Sequence, residues 1–315
     1  MPIDPDAQRV LDLIRESGRP PYETLPALEA RRLYAAGRTV LQPEPQEVLE
    51  VRDLTCAGPG GEIRMRAYRG FGAPDVAPCL VFYHGGGWLM GDLDTHDGPC
   101  RAIANAAQCR VVSVDYRLAP EHKFPAAFDD AATALRFVAM EAQRLGVDRA
   151  RIAVGGDSAG GNLAAAVSLA AREDAGRTPM PVFQVLIYPA VDLAMTSPSY
   201  RRVTEGVPLT ASGMRWFRDH YLAEPGQAFD WRASPLRAAS LAGLPPALVV
   251  TAGIDPLCDE GIAYARRLDE DGVRVTHLHL ADQIHGAMTM GKFIRASELI
   301  IGTSAAALRD AWARV

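Results

Sequence analysis

A serine placed between two glycines has the strongest potential for chemistry in this sequence. Residues 156–160, Gly-Asp-Ser-Ala-Gly, follow an apolar run and precede a helical pattern, so Ser158 lies in a G-x-S-x-G strand–turn–helix context. A sharp turn of this kind strains the serine backbone and directs its hydroxyl outward. The hydroxyl is a nucleophile only if a base takes its proton and an acid orients that base. A plain glycine-rich turn is the alternative interpretation.

The acid is expected downstream of the serine. Asp255 follows the apolar run 247–252, and loops at the carboxyl ends of parallel strands reach the active face of a sheet. Asp259 is the alternative acid. Its position just before the helical run 262–268 predicts a helix N-cap, which would occupy its carboxylate. We therefore favour Asp255.

The base is expected after the acid. His285 follows the strand pattern 275–280 in a loop with Gly286, where an imidazole can meet both Ser158 and Asp255. His277 and His279 alternate within the strand pattern. They would face one side of the sheet, with packing or solvent roles. We therefore favour His285.

A run of three glycines ends the strand pattern 79–83, in the segment His-Gly-Gly-Gly-Trp at residues 84–88. Acyl transfer builds negative charge on a carbonyl oxygen and needs preorganised N–H donors. We predict that the N–H groups of Gly85, Gly86 and Ala159 form this oxyanion hole and that His84 anchors the loop. A flexible linker and a phosphate-binding loop are the alternatives, but the segment lacks the lysine and the glycine spacing of phosphate-binding motifs.

Alternating strands and helices must position these residues. Helical patterns separate the later strands at residues 128–145, 160–171 and 261–271, which predicts an α/β fold with a mostly parallel sheet between helices. Helices are also predicted at 4–17, 22–36 and 295–314. The eight predicted strands are residues 48–54, 63–68, 79–83, 111–115, 152–155, 182–188, 247–252 and 275–280.

Two segments lack strand patterns. We interpret residues 1–45 and 192–242 as a cap over a catalytic core formed by residues 46–191 and 243–315. Apolar residues in the cap or near the motifs are candidates for the wall of a substrate pocket, with ordinary core packing as the alternative. These pocket candidates are Trp88, Met214, Trp216 and Ile284.

Composition excludes several other classes of protein. The 315 residues carry 33 basic and 38 acidic side chains, a net charge of −5, without the basic patch of a nucleic-acid-binding protein. The sequence has no signal-peptide pattern and no apolar run of the roughly 18 residues that a membrane helix needs. Five cysteines without metal-like spacing predict buried free thiols and no metal site. We therefore expect a soluble cytoplasmic protein that acts on a small molecule.

Taken together, the motifs resemble those of the hormone-sensitive-lipase family of α/β-hydrolases, the family IV esterases with a GDSAG motif. The resemblance covers nearly the whole chain. It implies an eight-stranded, mostly parallel sheet flanked by helices, a helical cap, and hydrolysis of short-to-medium carboxylic esters through Ser158, Asp255 and His285, without a cofactor. The matching motifs are HGGGW at residues 84–88, YRLAPE at 116–121, GDSAGG at 156–161, DPL at 255–257 and IHG at 284–286.

Two positions depart from the family pattern, which usually has an aromatic residue at Ala287 and an arginine at Cys258. We expect Ala287 to enlarge or loosen a pocket wall and Cys258 to be a small packing residue. The same triad also suits an amide or arylformamide substrate, and a receptor without turnover is a further alternative. The resemblance is also compatible with a homodimer.

Overall fold

All of the predicted strands join one sheet. The computed structural model describes residues 2–174 and 176–315, so Met1 and Ala175 lie outside the described residues. The strands are β1 Glu50–Gly58, β2 Gly61–Arg69, β3 Ala77–Tyr83, β4 Arg110–Asp115, β5 Val147–Asp157, β6 Gln184–Ile187, β7 Ala247–Ile254 and β8 Val275–Ile284. Their order in the sheet is β1-β2-β4-β3-β5-β6-β7-β8, and only the pairs of β2 with β1 and β4 are antiparallel. The predicted α/β-hydrolase sheet is confirmed.

The last strand is longer than its sequence pattern. The apolar pattern ends at residue 280, whereas β8 continues to Ile284, which pairs with Ile254 of β7 after an irregularity in the register. His285 is therefore the first residue beyond a strand and not the middle of a free loop. Backbone pairing, which the apolar pattern does not record, extends the strand to the edge of the site.

Helices cover both faces of the sheet. The helices are α1 Pro5–Glu16, α2 Ala27–Leu41, α3 Asp97–Ala107, α4 Ala126–Met140, α5 Ala142–Leu145, α6 Ala159–Glu173, α7 Ser199–Arg202, α8 Ala211–Tyr221, α9 Cys258–Glu270 and α10 Ala296–Trp312. Helices α4, α6 and α9 pack on one face, and α3 and α10 pack on the other. Strand β3 is buried along its whole length. Its Leu80 and Phe82 belong to one core, and its Val81 and Tyr83 belong to the other.

Prolines move the second helix away from its predicted bounds. Residues 22–36 were expected to form one helix, but Tyr22–Thr24 is a short 3-10 turn and α2 begins only at Ala27, after Pro26. The residue before a proline is pushed out of the helical region, and Leu25 is extended accordingly. A separate break at Glu141, without a proline, divides the predicted helix 128–145 into α4 and α5.

The segment 192–242 lies against the N-terminal segment. It contains α7, α8 and two 3-10 turns, Pro225–Phe229 and Pro235–Arg237. The hydroxyls of Thr210 and Ser212 donate hydrogen bonds to Glu23, at 3.2 and 2.8 Å. The two segments that lack strand patterns are thus joined by hydrogen bonds. The division into core and cap stays a prediction.

The five cysteines are all buried. Groups of side chains that could hold a metal ion are absent among the described residues. No helix in the described ranges is long and apolar enough to cross a membrane.

The sheet and α6 approach each other so closely that one glycine tolerates no side chain. A Cβ at Gly160 would collide with the carbonyl oxygen of Tyr83, whereas a Cβ at Gly302 in α10 meets nothing. We expect Gly160→Ala to destabilise the protein by more than about 3 kcal/mol or to prevent folding. The matched Gly302→Ala change should stabilise it by about 0.5 to 1 kcal/mol, because alanine favours an exposed helix. Urea unfolding followed by circular dichroism measures both. Equal midpoints for Gly160→Ala and the wild type would contradict the close approach.

Candidate active site

Ser158 occupies the sharp turn between β5 and α6. Its φ and ψ angles are 55° and −117°, a conformation that side-chain-bearing residues rarely adopt. The Ser158 N–H donates a hydrogen bond of 2.9 Å to the carbonyl oxygen of Ile187, the last residue of the neighbouring strand β6, so the turn is held to the sheet. Gly156 and Gly160 flank it because a Cβ at either position would strike the carbonyl oxygen of Tyr83. The strained turn places the serine hydroxyl at the carboxyl edge of the sheet.

His285 connects the serine to a buried carboxylate. Its Nε2 lies 2.9 Å from the Ser158 Oγ, and its Nδ1 lies 2.7 Å from Oδ2 of Asp255. Asp255 is fully buried, and its Oδ1 accepts a hydrogen bond of 2.8 Å from the Leu257 N–H. Because Nδ1–H donates to the carboxylate, Nε2 is free to accept the serine proton. The structure thus brings together the three residues that the sequence selected.

Asp259 has a different role from the expected one. The N-cap of α9 is Leu257, so Asp259 lies inside the first turn and does not cap the helix. Its carboxylate forms an ion pair with Arg202 at 3.0 Å. The expected cap was wrong because α9 begins several residues before its apolar pattern. Asp255 is distinguished from Asp259 by its contact with His285.

The first glycine of the glycine run is not free to bind an oxyanion. The Gly85 N–H donates a hydrogen bond of 2.9 Å to Oδ1 of Asp157, so its expected place in the oxyanion hole was wrong. Gly86 and Gly87 have φ angles of 118° and 62° and line the same cleft as Ser158 and Ala159. Only glycine readily adopts such angles. With the Gly85 N–H engaged, the lining residues whose N–H groups are candidates for an oxyanion hole are Gly86, Gly87 and Ala159.

Asp157, which the sequence analysis left without a role, holds the glycine loop. Besides Gly85, its carboxylate faces Nε2 of His96 at 3.2 Å. Burial alone would raise the pKa of Asp157, but His96, Arg38 and the Gly85 N–H hold it below its usual range. The aspartate of the GDSAG motif was the available signal. It is an ionised carboxylate that ties the nucleophile turn to the glycine loop.

His84 contacts the base of the glycine loop. Its ring stacks on Tyr116 with centroids 4.3 Å apart, and the Tyr116 hydroxyl donates a hydrogen bond of 2.7 Å to the His84 carbonyl oxygen. The anchoring role predicted for His84 agrees with these contacts. His277 and His279 both lie beside the Thr251 hydroxyl, at 2.8 and 2.9 Å, away from the cleft.

A cleft leads to Ser158, and two of the four pocket candidates line it. Trp88 and Met214 face the cleft, whereas Trp216 and Ile284 do not. Trp216 packs on Phe217 and His220 of its own helix, and Ile284 lies fully buried in the sheet core. The expectation for these two was wrong because α8 turns a different face toward the cleft and because β8 extends through Ile284. Further lining residues that the sequence analysis missed include Arg19, Tyr22, Tyr34, Arg38, Leu41, Leu209 and Phe217.

The two departures from the family pattern lie behind the site. Ala287 is buried at the start of a 3-10 turn, Ala287–Thr289, and is not among the residues that line the cleft. Gly286 and Thr289 form the wall there, and the expected effect of Ala287 on that wall stays a prediction. Burial, with the charges of Asp255 and Asp259, raises the pKa of the Cys258 thiol to about 11. The thiol is protonated at neutral pH, as a packing residue would be.

Comparison with known proteins identifies relatives along nearly the whole chain. Residues 80–289 match a family model described as the alpha/beta hydrolase fold. Carboxylic ester hydrolase LipN of Mycobacterium tuberculosis is 42% identical over 91% of this chain and 77% of its own length. Ethyl acetate hydrolase of Pseudomonas putida is 36% identical over 95% of this chain and 96% of its own length.

Solved structures agree with these matches. An α/β hydrolase enzyme from the metagenome of Lake Arreo, Spain, superposes with a TM-score of 0.94 at 43% identity, covering 98% of each chain. A hyperthermophilic esterase from Pyrobaculum calidifontis gives a TM-score of 0.91 at 39% identity, covering 98% of this chain and 99% of its own. At this level of identity, the similarity extends beyond the fold to the sequence.

A buried glutamate holds α9, the helix that follows Asp255, against the wall of the cleft. Glu260, in the first turn of α9, accepts hydrogen bonds from the N–H groups of Val191 and Asp192, at 2.7 and 3.1 Å. Those residues follow Ala190, which lines the cleft. Burial raises the pKa of the Glu260 carboxyl to about 8. The folded protein therefore favours the protonated form of this group.

The raised pKa predicts a pH-dependent stability. Because the folded pKa lies above the unfolded one, the contribution of Glu260 is fully present below about pH 4.5 and is lost as the pH rises through about 8. Glu260→Gln removes this titration. As the pH rises from about 5 to 9, its unfolding free energy should increase relative to that of the wild type by on the order of 1 to 4 kcal/mol. Urea unfolding across this range measures the difference. Glu298→Gln, at an exposed position in α10, is the control, and curves for Glu260→Gln that parallel the wild type would refute the assignment.

Proposed function

The chain belongs to the α/β-hydrolase family, as a carboxylic ester hydrolase of the hormone-sensitive-lipase-like group, and we propose that Ser158, His285 and Asp255 carry out its reaction. One observation carries the proposal. The Ser158 hydroxyl and the buried Asp255 carboxylate lie on opposite sides of the His285 ring, at 2.9 and 2.7 Å, and the serine opens into a cleft. A serine activated by a base, itself oriented by an acid, is the arrangement that acyl transfer requires.

In the first half of the reaction, Ser158 Oγ attacks the ester carbonyl carbon while His285 Nε2 takes its proton. The charge that develops on the imidazolium is stabilised by Asp255. Collapse of the tetrahedral intermediate breaks the bond to the alkoxy oxygen. That oxygen takes the proton from His285 and leaves as the alcohol, while the acyl group stays on Ser158.

In the second half, water replaces the alcohol. His285 takes a proton from the water, whose oxygen attacks the acyl carbon, and the returning proton releases Ser158. The balance is one ester and one water consumed for one acid and one alcohol. The residues supply every proton transfer, so the proposed cycle needs no cofactor.

Backbone amides would stabilise both tetrahedral intermediates. The N–H groups of Gly86, Gly87 and Ala159 belong to residues that line the cleft around Ser158. Ala159 is also the first residue of α6, whose N-terminus carries partial positive charge. Each donor of such a set contributes roughly 10² to 10³ in rate.

The walls of the cleft support short-to-medium acyl chains. Leu209, Met214 and Phe217 of the cap face into the space in front of Ser158. Small clefts with apolar walls bind small apolar groups. A relative named for ethyl acetate, an ester with a short acyl chain, supports the same preference. A cytoplasmic location and a homodimer stay predictions from the sequence.

Ester hydrolysis should depend on Ser158 and Asp255. We expect initial rates on p-nitrophenyl esters to peak among the shorter acyl chains of a series from acetate to palmitate. Ser158→Ala and Asp255→Asn should each lower kcat by about 10⁴-fold or more, because the serine loses its nucleophile or the histidine its orientation. Asp259→Asn, which changes the neighbouring carboxylate, is the matched control and should stay within a few-fold of the wild type.

Two results would count against the triad. If folded Ser158→Ala hydrolyses the esters as fast as the wild type, another group performs the reaction. If Asp259→Asn and Asp255→Asn lose activity equally, the acid is misassigned.

Parallel rates on p-nitroanilides and on an N-formylarylamine test the amide alternative. A fluorophosphonate that adds its mass to Ser158 in the wild type supports the covalent intermediate.

A further inference from the structure

Two arginines from the N-terminal segment face the same cleft as Ser158. Arg38 lies near the end of α2, and Arg19 lies between α1 and the 3-10 turn Tyr22–Thr24. Both are partly buried. Among the residues that the structure describes, no carboxylate lies within 4.0 Å of either guanidinium. Cations are seldom withdrawn from water without an anionic partner.

The contacts of Arg38 leave most of its guanidinium free for a ligand. One nitrogen, Nη1, donates to the hydroxyl of Thr289, and it lies 3.4 Å from the Thr289 carbonyl oxygen. The guanidinium also stacks over the ring of Tyr34, with 4.5 Å between the guanidinium carbon and the ring centroid. Burial alone would lower the pKa of Arg38, but Tyr34, Tyr22, Tyr188 and Asp157 raise it. The group is a charged, planar donor fixed from one side.

Arg19 reaches the same wall of the cleft. Its guanidinium carbon lies 5.7 Å from the centroid of the Tyr22 ring. A Cβ at Gly37 would come within 3.1 Å of its Nη1. The missing side chain at Gly37 thus lets Arg19 lie against α2, beside the residue that precedes Arg38. Both arginines therefore line the part of the cleft wall that the N-terminal segment forms.

The carboxylates near the cleft are already engaged. Asp157, which lines the cleft, accepts from the Gly85 N–H and faces His96. Asp255 is bound to His285 and the Leu257 N–H. Neither lies within 4.0 Å of an arginine guanidinium, although the charge of Asp157 acts on Arg38. Among the described residues that line the cleft, two guanidinium groups face the single carboxylate of Asp157, so the cleft carries a net positive charge.

We propose that this esterase acts on esters that carry a carboxylate, which Arg38 and Arg19 bind while Ser158 attacks the ester carbonyl. The proposal rests on the proposed function, because it identifies the substrate class of that site. Guanidinium groups match a carboxylate with paired, charge-assisted hydrogen bonds. The carboxylate belongs either to the acid half, as in a half-ester of a dicarboxylic acid, or to the alcohol half, as in an acylated hydroxy acid.

A purely structural role for Arg38 is the competing explanation. Its bond to Thr289 joins α2 to the turn that follows His285, so removing it would disturb catalysis on every substrate. Arg19 distinguishes the two explanations, because its guanidinium contacts Tyr22 and α2 and not the His285 turn. An anion site predicts that both arginines matter, and only for charged substrates.

The test compares charged and neutral partners of the same ester. Monoethyl succinate, glutarate and adipate are set against their diethyl esters, and 4-acetoxybutanoate is set against its amide, with kcat/KM followed by pH-stat. In at least one of these two arms, Arg38→Gln and Arg19→Gln should each lower the ratio of charged to neutral kcat/KM by about tenfold or more, which is the usual effect of losing a charge-assisted hydrogen bond. Arg32→Gln, at an exposed position of α2, is the matched control and should leave the ratio unchanged.

A proportional loss of kcat/KM on the charged and the neutral ester, or an unchanged ratio in Arg19→Gln, would overturn the proposal in favour of the structural role.

A binding measurement without turnover separates the anion site from the reaction itself. In folded Ser158→Ala, glutarate should raise Tm more than butyrate does, and Arg38→Gln should abolish that difference. If glutarate and butyrate shift Tm equally, the anion site is refuted even where esters are hydrolysed. If the wild type hydrolyses no ester but the glutarate shift is present, the triad assignment fails and the anion site stands.

Discussion

The close approach of α6 to the end of β3 is the constraint on which the site depends. Gly156 and Gly160 lie so near the Tyr83 carbonyl oxygen that neither accommodates a Cβ. This contact forces Ser158 into a positive φ between strand and helix. The glycine loop leaves the sheet at the same point, directly after Tyr83, and its Gly85 N–H bonds to Asp157 beside the nucleophile. One steric contact therefore positions Ser158 and the glycine loop together, the two parts of the proposed catalytic site.

Local patterns predicted the sheet and the three residues at its edge. Strands such as β3 are continuous apolar runs because both faces are buried, and His285 and Asp255 follow strands whose carboxyl ends share one edge. The wrong predictions arose where a partner distant in the sequence determines the role of a residue. In the sequence, Gly85 is equivalent to Gly86 and Gly87, but in the structure its N–H donates a hydrogen bond to Asp157. Asp259 looked like a cap, but Arg202, far away in the sequence, holds its carboxylate.

The position of α2 could not be predicted from its own sequence either. Arg31 donates hydrogen bonds of 2.6 and 2.7 Å to the carbonyl oxygens of Leu89 and Ala119, and it pairs with Glu121. Leu89 follows the glycine loop, so this arginine fastens α2 over the site. Arg38 lies two helical turns farther on, on the same face of α2. The contacts of Arg31 that hold α2 over the glycine loop thus also direct Arg38 into the cleft.

In the proposed mechanism, reaction and selectivity are consequently carried by largely different parts of the chain. Ser158, His285 and the amides of Gly86, Gly87 and Ala159 can contact only the ester group itself, which all esters share. Whatever distinguishes one ester from another must contact residues farther out. Many of those residues come from two segments without strands, around α2 and α8, while Trp88, Met90 and Met290 line the cleft from other parts of the chain. Such segments accept substitutions without disturbing the sheet. In the proposed mechanism, the charge in α2 and the apolar side chains in α8 therefore contribute to substrate choice, on a reaction centre that the sheet keeps fixed.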